Sequence, residues 1–487
     1  MNTRRLLSAL LVLFLTALVA GCGSNKIGGG NPPPGPGTST VSVAVTDTPP
    51  AGVTVISFEV TITGATLNPG NVALVSTPIQ IEVKRLETEA AFLTAVNVPA
   101  GTYSSITFTF ANPELTFKND TGAPIAGCSN VPPNNVCEFK PAVSGSVTYS
   151  EAPFPVTIVA NTPTGFLVDV NLNNIITSGV GVDFNAARAL VVMQLPLPGR
   201  PLGELHEIED VSGVVANKDA ANNQFTLQTT RGNLTVRVDS MTDFEDFEEA
   251  TPPCLTDNFL CVQNGQSVEV DLRMMASLAA GTLLAKKVEL EDNVADDELD
   301  GVVVSVDSPT QFKMVLIEEM RNVAGIEVGN VLTVMTPGTV PPGFFRVDDN
   351  GLTIPAGLKG AFENATDTAQ LLPGQTVQVR RGSSSSGTTI NTDRVRLRGT
   401  RFTAKVAGAP APPNFNIGGT SGLPSLFTAA GITQIQVQTQ AATEFEGGIT
   451  GVTGLADGNT VSLRGLLFKN TPLNPVLIAK KVRKRTP

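Results

Sequence analysis

Few residues in this 487-residue chain have the types and spacing to do chemistry. Nucleophilic catalysis needs a base that titrates near neutrality. The chain has one histidine, His206, in the acidic run Gly203-Glu204-Leu205-His206-Glu207, and no serine framed as a nucleophile elbow. A solvated linker histidine is the simpler reading. Glycoside hydrolysis would need two carboxylates. Asp243 and Glu245 stand two apart and share a strand face, yet Phe244 between them is echoed by Phe445 in a second copy of the motif. That pattern reads as an apolar plug with solvated neighbours rather than a catalytic pair. Calcium could use the oxygen ligands of Asp296, Asp297 and Asp300, or of Asp348, Asp349 and Asn350, although neither set has EF-hand spacing. Four cysteines fall into two local pairs, Cys128 with Cys137 and Cys254 with Cys261. Their spacing is not Cys-x-x-Cys and histidine is scarce, so metal ligation is a poor rival to disulfides. Finally, Arg380, Arg381, Arg394, Arg396, Arg398 and Arg401 form a basic group. Three of them, Arg394, Arg396 and Arg398, alternate and share one strand face. A same-sign stripe repels itself and calls for an anionic neighbour: the acidic part of the chain, a lipid A phosphate or an anionic polysaccharide. The tail Lys480-Lys481-Val482-Arg483-Lys484-Arg485 extends the same surface.

The charge is unevenly spread, which bears on all of those neighbours. Lys and Arg total 33 against 44 Asp and Glu, for a net charge of −11. Residues 201–300 hold 21 acids against 6 bases, whereas residues 376–487 hold 4 acids against 14 bases. An acidic middle and a basic end can attract each other, within one molecule or between molecules, and the basic end could also meet a polyanion. Aromatic platforms for nucleic acid or sugar are scarce, with no Trp and two Tyr. Overall acidity further argues against nucleic acid.

The amino terminus fixes the expected compartment. Arg4-Arg5, a Leu-rich run from Leu6 to Ala20, and Val19-Ala20-Gly21-Cys22 have the order of a charged region, an apolar region and a small-residue cleavage site. With a cysteine directly after the small residues, this segment resembles a bacterial lipoprotein signal. The resemblance implies cleavage after residue 21, acylation of Cys22, and membrane attachment through acyl chains. Gly23 in place of Asp points to the outer membrane. The apolar run is too short to span a bilayer comfortably. Export also makes two disulfides chemically reasonable.

These residues need elements to hold them, and the chain supplies β patterning almost throughout. Residues 22–39 are a Gly/Pro-rich tether. From 40 to 199, segments such as VSVAVTD, SFEVTIT and SSITFTF alternate apolar and polar residues between Pro/Gly turns, which predicts an antiparallel β-sandwich. Leu86–Val96 breaks the pattern and predicts a short helix or loop. The remainder repeats. Gly265-Gln266-Ser267-Val268-Glu269-Val270 recurs at Gly374–Val379 and, as Gly458-Asn459-Thr460-Val461, a third time. Thr242-Asp243-Phe244-Glu245 recurs at Thr443–Glu446 and loosely at Ala361-Phe362-Glu363, and Ala285-Lys286-Lys287-Val288 recurs at Ala479–Val482. Three units follow: 205–295, 297–399 and 400–487. Five short strands with an excursion after the third predict a small OB-like barrel in each. The second unit carries an insertion, with an extra hairpin expected around Val347–Gly351.

Two family resemblances sit on these motifs. Val43–Pro49, Val98-Pro99-Ala100-Gly101-Thr102-Tyr103 and Leu167–Leu172 resemble segments of domain-of-unknown-function family 4382. The repeated Gly-Gln-x-Val-x-Val and Ala-x-x-Val strands resemble domain-of-unknown-function family 5666, which the resemblance implies is present in tandem in exported bacterial proteins. Neither implies an activity. The expectation is an all-β, lipid-anchored envelope protein that binds or scaffolds without catalysis, with an unknown envelope protein or polysaccharide as partner and no cofactor required. A carboxylate-dependent, calcium-assisted hydrolase and a polyanion binder are the alternatives.

Overall fold

The computed structural model describes residues from Gly37 to Arg485 apart from short segments, the longest being 49–53, 196–206, 274–281 and 293–296. Cys22, His206 and Asp296 therefore lie outside the described residues, as do the expected signal and most of the tether. No helix among the described residues is long and apolar enough to cross a membrane.

The chain is all-β. Residues 38–195 form two main sheets around one core. One sheet has the order Leu190–Leu195, Thr164–Asn171, Thr38–Thr48, Ala91–Pro99. The other is built on the long pair Thr54–Asn68 and Ser105–Lys118. Val41, Val43 and Val45 from the first sheet meet Phe58, Phe108 and Phe117 from the second in a single cluster. The rings of Phe110 and Phe184 stack at 4.0 Å between centroids. The first sheet is mixed rather than antiparallel, because Thr38–Thr48 runs parallel to Thr164–Asn171. Alternation reveals which face of a strand is buried, but not the direction of its neighbour. The segment Leu86–Val96, expected as a short helix or loop, is in part a strand: a 3₁₀ turn spans Val83–Glu87 and Ala91–Pro99 is a strand.

Three barrels follow, with one strand order. In the first, Gln224–Thr229 pairs with Glu207–Asp219 on one side and Gly232–Arg237 on the other; Ser267–Arg273 pairs with Glu207–Asp219 and with Thr282–Asp292. A parallel pairing of Gly232–Arg237 with Thr282–Asp292 closes the ring. The short strand Asp243–Glu245 lies outside it, parallel to Thr282–Asp292. The second barrel repeats this order with Glu298–Ser308, Gln311–Glu319, Val331–Met335, Phe345–Val347, Thr376–Arg381 and Thr389–Arg398. The third repeats it with Thr400–Lys405, Asn414–Gly418, Gln434–Gln438, Glu444–Glu446, Thr460–Phe468 and Val476–Lys484, its first two strands joined by the Val406–Ile417 bridge.

The sequence motifs mark equivalent joints. Gly265, Gly374 and Gly458 have φ of +92°, +93° and +76°, a region in which other residues are strained. The next side chain caps the turn each time: Gln266 accepts from the Gln263 amide, Gln375 from Leu372, and Asn459 from Ala456. Thr242 donates its hydroxyl to the Ala285 carbonyl, and Thr443 donates to that of Ala479. In the second barrel the place of Asp243–Glu245 is taken by Phe345–Val347, not by Ala361-Phe362-Glu363, which lie in the helix Ala356–Glu363. Val347–Gly351 is therefore the end of this short strand and its turn rather than an added hairpin.

The units interlock. Leu466, Phe468, Val476 and Ile478 of the third barrel complete the core of the second, and Ala44, Ala90 and Leu167 of the first two-sheet unit pack into the core of the first barrel.

Candidate functional site: a buried ionic seam

In each barrel, the last two long strands pair directly, so their outward residues form one patch. In the first barrel Glu269 sits opposite Glu289 and Asp271 opposite Lys287, with Glu291 beyond. In the second, Asp300 sits opposite Gln378, and Gln378 opposite Arg396, flanked by Glu298, Arg394 and Arg398. An outward face on an isolated barrel would be wet. Here the acidic patch of the first barrel meets the arginine stripe of the second, and the charged residues are buried. Seven carboxylates (Glu269, Asp271, Glu289, Glu291, Glu298, Asp300 and Asp348) share the seam with four buried bases, Lys287, Arg394, Arg396 and Arg398.

Arg398 is the hub. One terminal nitrogen donates to Glu291 at 2.7 Å and to Asp348 at 2.6 Å, while the other meets Glu269, and Asp300 lies 3.8 Å away. Arg396 takes the second oxygen of Glu291. Arg394 meets Glu298 and lies 3.7 Å from Asp292. Lys287 bonds Glu289 at 2.5 Å, and its ammonium also donates to Asn350 Oδ1 at 3.1 Å. The third barrel reaches in through Lys480, which shares Asn350 and lies 4.0 Å from Asp271.

The remaining candidate residues also find partners in the chain. Arg380 bonds Asp393 at 2.8 Å, Arg381 lies 3.5 Å from Asp297, and Arg401 meets Glu89 of the first unit. The end of the chain crosses over as well: Arg485 donates to the backbone oxygens of Asp47 (2.9 Å) and Glu87 (2.5 Å). Glu245 lies 3.6 Å from Lys287, while Glu444 and Glu446 lie 3.3 and 3.6 Å from Lys481, so the repeated acid-Phe-acid strand answers the repeated lysine. Phe244 is 8 % exposed and packs on Phe247, as a plug should. Of the calcium candidates, Asp297 is held by Arg321 at 2.7 Å and Asp349 by Lys359 at 3.2 Å, while Asp300 and Asp348 belong to the seam. Asn350 serves as the lysine acceptor already described.

Of the acids that matter most, the sequence singles out only Asp348, as a calcium ligand, and passes over Glu289 and Glu291. Glu289, Glu291 and Asp348 bring carboxylate oxygens within 4.8 Å of one another. Burial pushes the Glu291 carboxyl up to about 7, against the pull of Arg396 and with the push of Glu289 and Asp300. Burial raises Asp348 well above the usual range too, reinforced by Glu289 and Glu291. Burial opposes the charge on Lys287, but the surrounding Glu289, Asp271, Asp348 and Glu245 outweigh it and hold the ammonium charged. A signal for this cluster did exist: the same strand positions read as acids in one unit and arginines in the next.

Both cysteine pairs are disulfides. Cα separations are 5.7 Å for Cys128–Cys137 and 5.6 Å for Cys254–Cys261. The second ties a loop to the barrel wall, where Cys261 is core and the Cys254 amide bonds the Phe247 carbonyl at 3.0 Å. Replacing Cys254 and Cys261 by serine is expected to cost about 2 kcal/mol, the closure entropy of so short a loop. Urea unfolding of the double variant checks this, and an unchanged midpoint would refute it.

Residues 38–192 match the family model of a domain of unknown function (DUF4382), and residues 212–289 match that of a domain of unknown function (DUF5666). The first covers the two-sheet unit and the second the first barrel. Neither a curated protein nor a solved structure matches the chain.

Proposed function

We propose that this chain is a lipid-anchored envelope protein working as a non-enzymatic scaffold or binding module, acylated at Cys22 and held off the outer membrane by the tether 22–39. The three barrels are read as copies of one unit, the first of which carries the DUF5666 match. One observation supports the scaffold reading above the others. The arginine face that could have met a polyanion fastens the first and second barrels to each other, and Glu245 of the candidate acid pair answers Lys287 of its own barrel. The two-sheet unit and the barrels thereby become one block, suited to presenting a fixed surface rather than to opening around a substrate.

The experiment is expression of the full chain in a lipoprotein-processing bacterium with an alkyne fatty acid. The wild-type chain is expected to take the label and enter the detergent phase on detergent partitioning; Cys22→Ser is expected to do neither. Label-free, water-soluble wild-type protein would sink the anchoring. A hydrolase panel on the same preparation tests the rest: turnover abolished by Asp243→Asn with Glu245→Gln would sink the scaffold reading.

A further inference from the structure

The seam holds more acid than base, and this excess has a consequence. Seven buried carboxylates face four buried bases, and three of the carboxylates crowd within 4.8 Å. Like charges so close in a low-dielectric interior cannot all be ionised without cost. A divalent cation could relieve them, but each is already engaged: Glu289 by Lys287, Glu291 by Arg396 and Arg398, Asp348 by Arg398. Protons are the counter-charge that fits. The crowded carboxylates come from different units, Glu289 and Glu291 from the first barrel and Asp348 from the second, so whatever neutralises them also governs how the barrels hold together.

We propose that the seam between the first and second barrels is a proton-operated clamp, in which Glu291 and Asp348, crowded by Glu289, hold protons while the barrels are closed and release them as the barrels part.

Every element packed on the cluster contributes to its balance. The strand Thr389–Arg398 offers Arg394, Arg396 and Arg398. The strand Ser267–Arg273 brings Glu269 and Asp271, and Thr282–Asp292 brings Lys287 and Asp292 beside the two glutamates. Glu298 and Asp300 face it from Glu298–Ser308, Glu245 and Asp246 come from the short-strand side, and Lys480 from the third barrel. Lys287 and Arg396 are held charged by the acids around them, so the titration falls to Glu291 and Asp348.

The sign follows from linkage. A carboxyl whose folded pKa lies above its unfolded value binds more protons when folded, so stability falls as pH rises through the interval between the two values. For Glu291 that interval runs from 4.5 to about 7. Asp348 extends the fall in the same direction. Asp47, buried within the strand Thr38–Thr48 of the first unit, is also raised and adds to the slope, so it must be controlled. Lys84, lowered by burial to about 8, acts only above that pH and with the opposite sign.

The test uses the full chain carrying His206→Gln and Asp47→Asn, which remove two titrating groups outside the seam; Glu114 and Glu245, also raised by burial, are common to parent and variants and cancel in the comparison. Urea unfolding is measured between about pH 5 and about pH 8. The folding constant is expected to fall about tenfold per pH unit for each linked proton. Glu291→Gln is expected to flatten that slope by about one proton, whereas Glu151→Gln, exposed on the first unit, leaves it unchanged. Hydrogen exchange, corrected for its intrinsic pH dependence, is expected to quicken across 267–273 and 389–398 as pH rises. If Glu291→Gln fails to fold, infrared spectra of the parent decide: a protonated-carboxyl band is expected near pH 6 and lost near pH 8. A stability that is flat or rising over the window, an unaltered slope in Glu291→Gln, or no protonated carboxyl near pH 6 would overturn the clamp.

Discussion

Arg398→Ala is expected to destabilise the chain by about 3–5 kcal/mol, among the largest effects of any single polar substitution in it. The reason is the number of acids that one guanidinium serves. Glu291, Asp348 and Glu269 all meet it, and none of the three is more than 8 % exposed. Truncation leaves them buried beside Asp300 and Glu289 with Arg396, Arg394 and Lys287 as the nearest cations to answer them. Part of the loss is recoverable by proton uptake, because a carboxyl stripped of its cation can neutralise itself. The variant is therefore expected to lose less at pH 5 than at pH 8, and the paired midpoints measure that difference. A second variant separates the net worth of the pairing from the penalty of breaking it. Arg398→Met with Glu269→Leu and Glu291→Leu removes the hub with two of its acids and should regain most of the loss, since a buried ion cluster is often no more stable than apolar residues of similar volume. A cost below about 1 kcal/mol for Arg398→Ala would mean that water reaches the seam and the interior reading is mistaken.

The comparison of Arg398 with its neighbours shows what a single sequence can reveal. Alternation made it certain that Arg394, Arg396 and Arg398 share a face, and the charge asymmetry between the middle and the end suggested that acids of the same chain could meet them. Both are local or compositional facts. What alternation cannot tell is whether an outward face stays wet, because that depends on another unit more than 100 residues away arriving in register. Glu289 and Glu291 read as ordinary solvent-facing acids for that reason. The same limit applies to direction: Val43 and Val168 were recognisable as core, but nothing in either strand says that Thr38–Thr48 and Thr164–Asn171 run parallel. The repeated joints were legible because they are chemical. A glycine that must take positive φ, followed by an amide that caps its own turn, leaves the same letters at Gly265, Gly374 and Gly458. Where the second barrel replaces Thr-Asp-Phe-Glu by a strand beginning at Phe345, the letters change while the Phe is kept, and the motif search settled on Phe362 instead.

Phe468→Ala tests whether the barrels are separate modules or one body, and here the expected loss is about 3–5 kcal/mol. Phe468 belongs by sequence to the third barrel, in the strand Thr460–Phe468, yet its ring is 2 % exposed within the core of the second. The strand has two buried faces. Val461, Leu463 and Leu467 point into their own barrel, while Leu466 and Phe468 point into the neighbour's, joined there by Val476 and Ile478 from the adjacent strand. The Gln375 side chain seals the contact by donating to the Leu467 carbonyl at 2.7 Å. Independent domains on a string would respond to Phe468→Ala with an early transition confined to the third barrel. A shared core instead requires the second barrel to lose packing as well, so hydrogen exchange should quicken in 311–319 and 331–335 along with 460–468. The contrast with Leu463→Ala is informative. Leu463 is equally buried but lies wholly in the third barrel's own core, so its protection loss should centre on 400–484. Identical exchange patterns for the two variants would count against the shared core. A second barrel untouched by Phe468→Ala would also return the chain to a set of separate modules, leaving the ionic seam to hold them without apolar help.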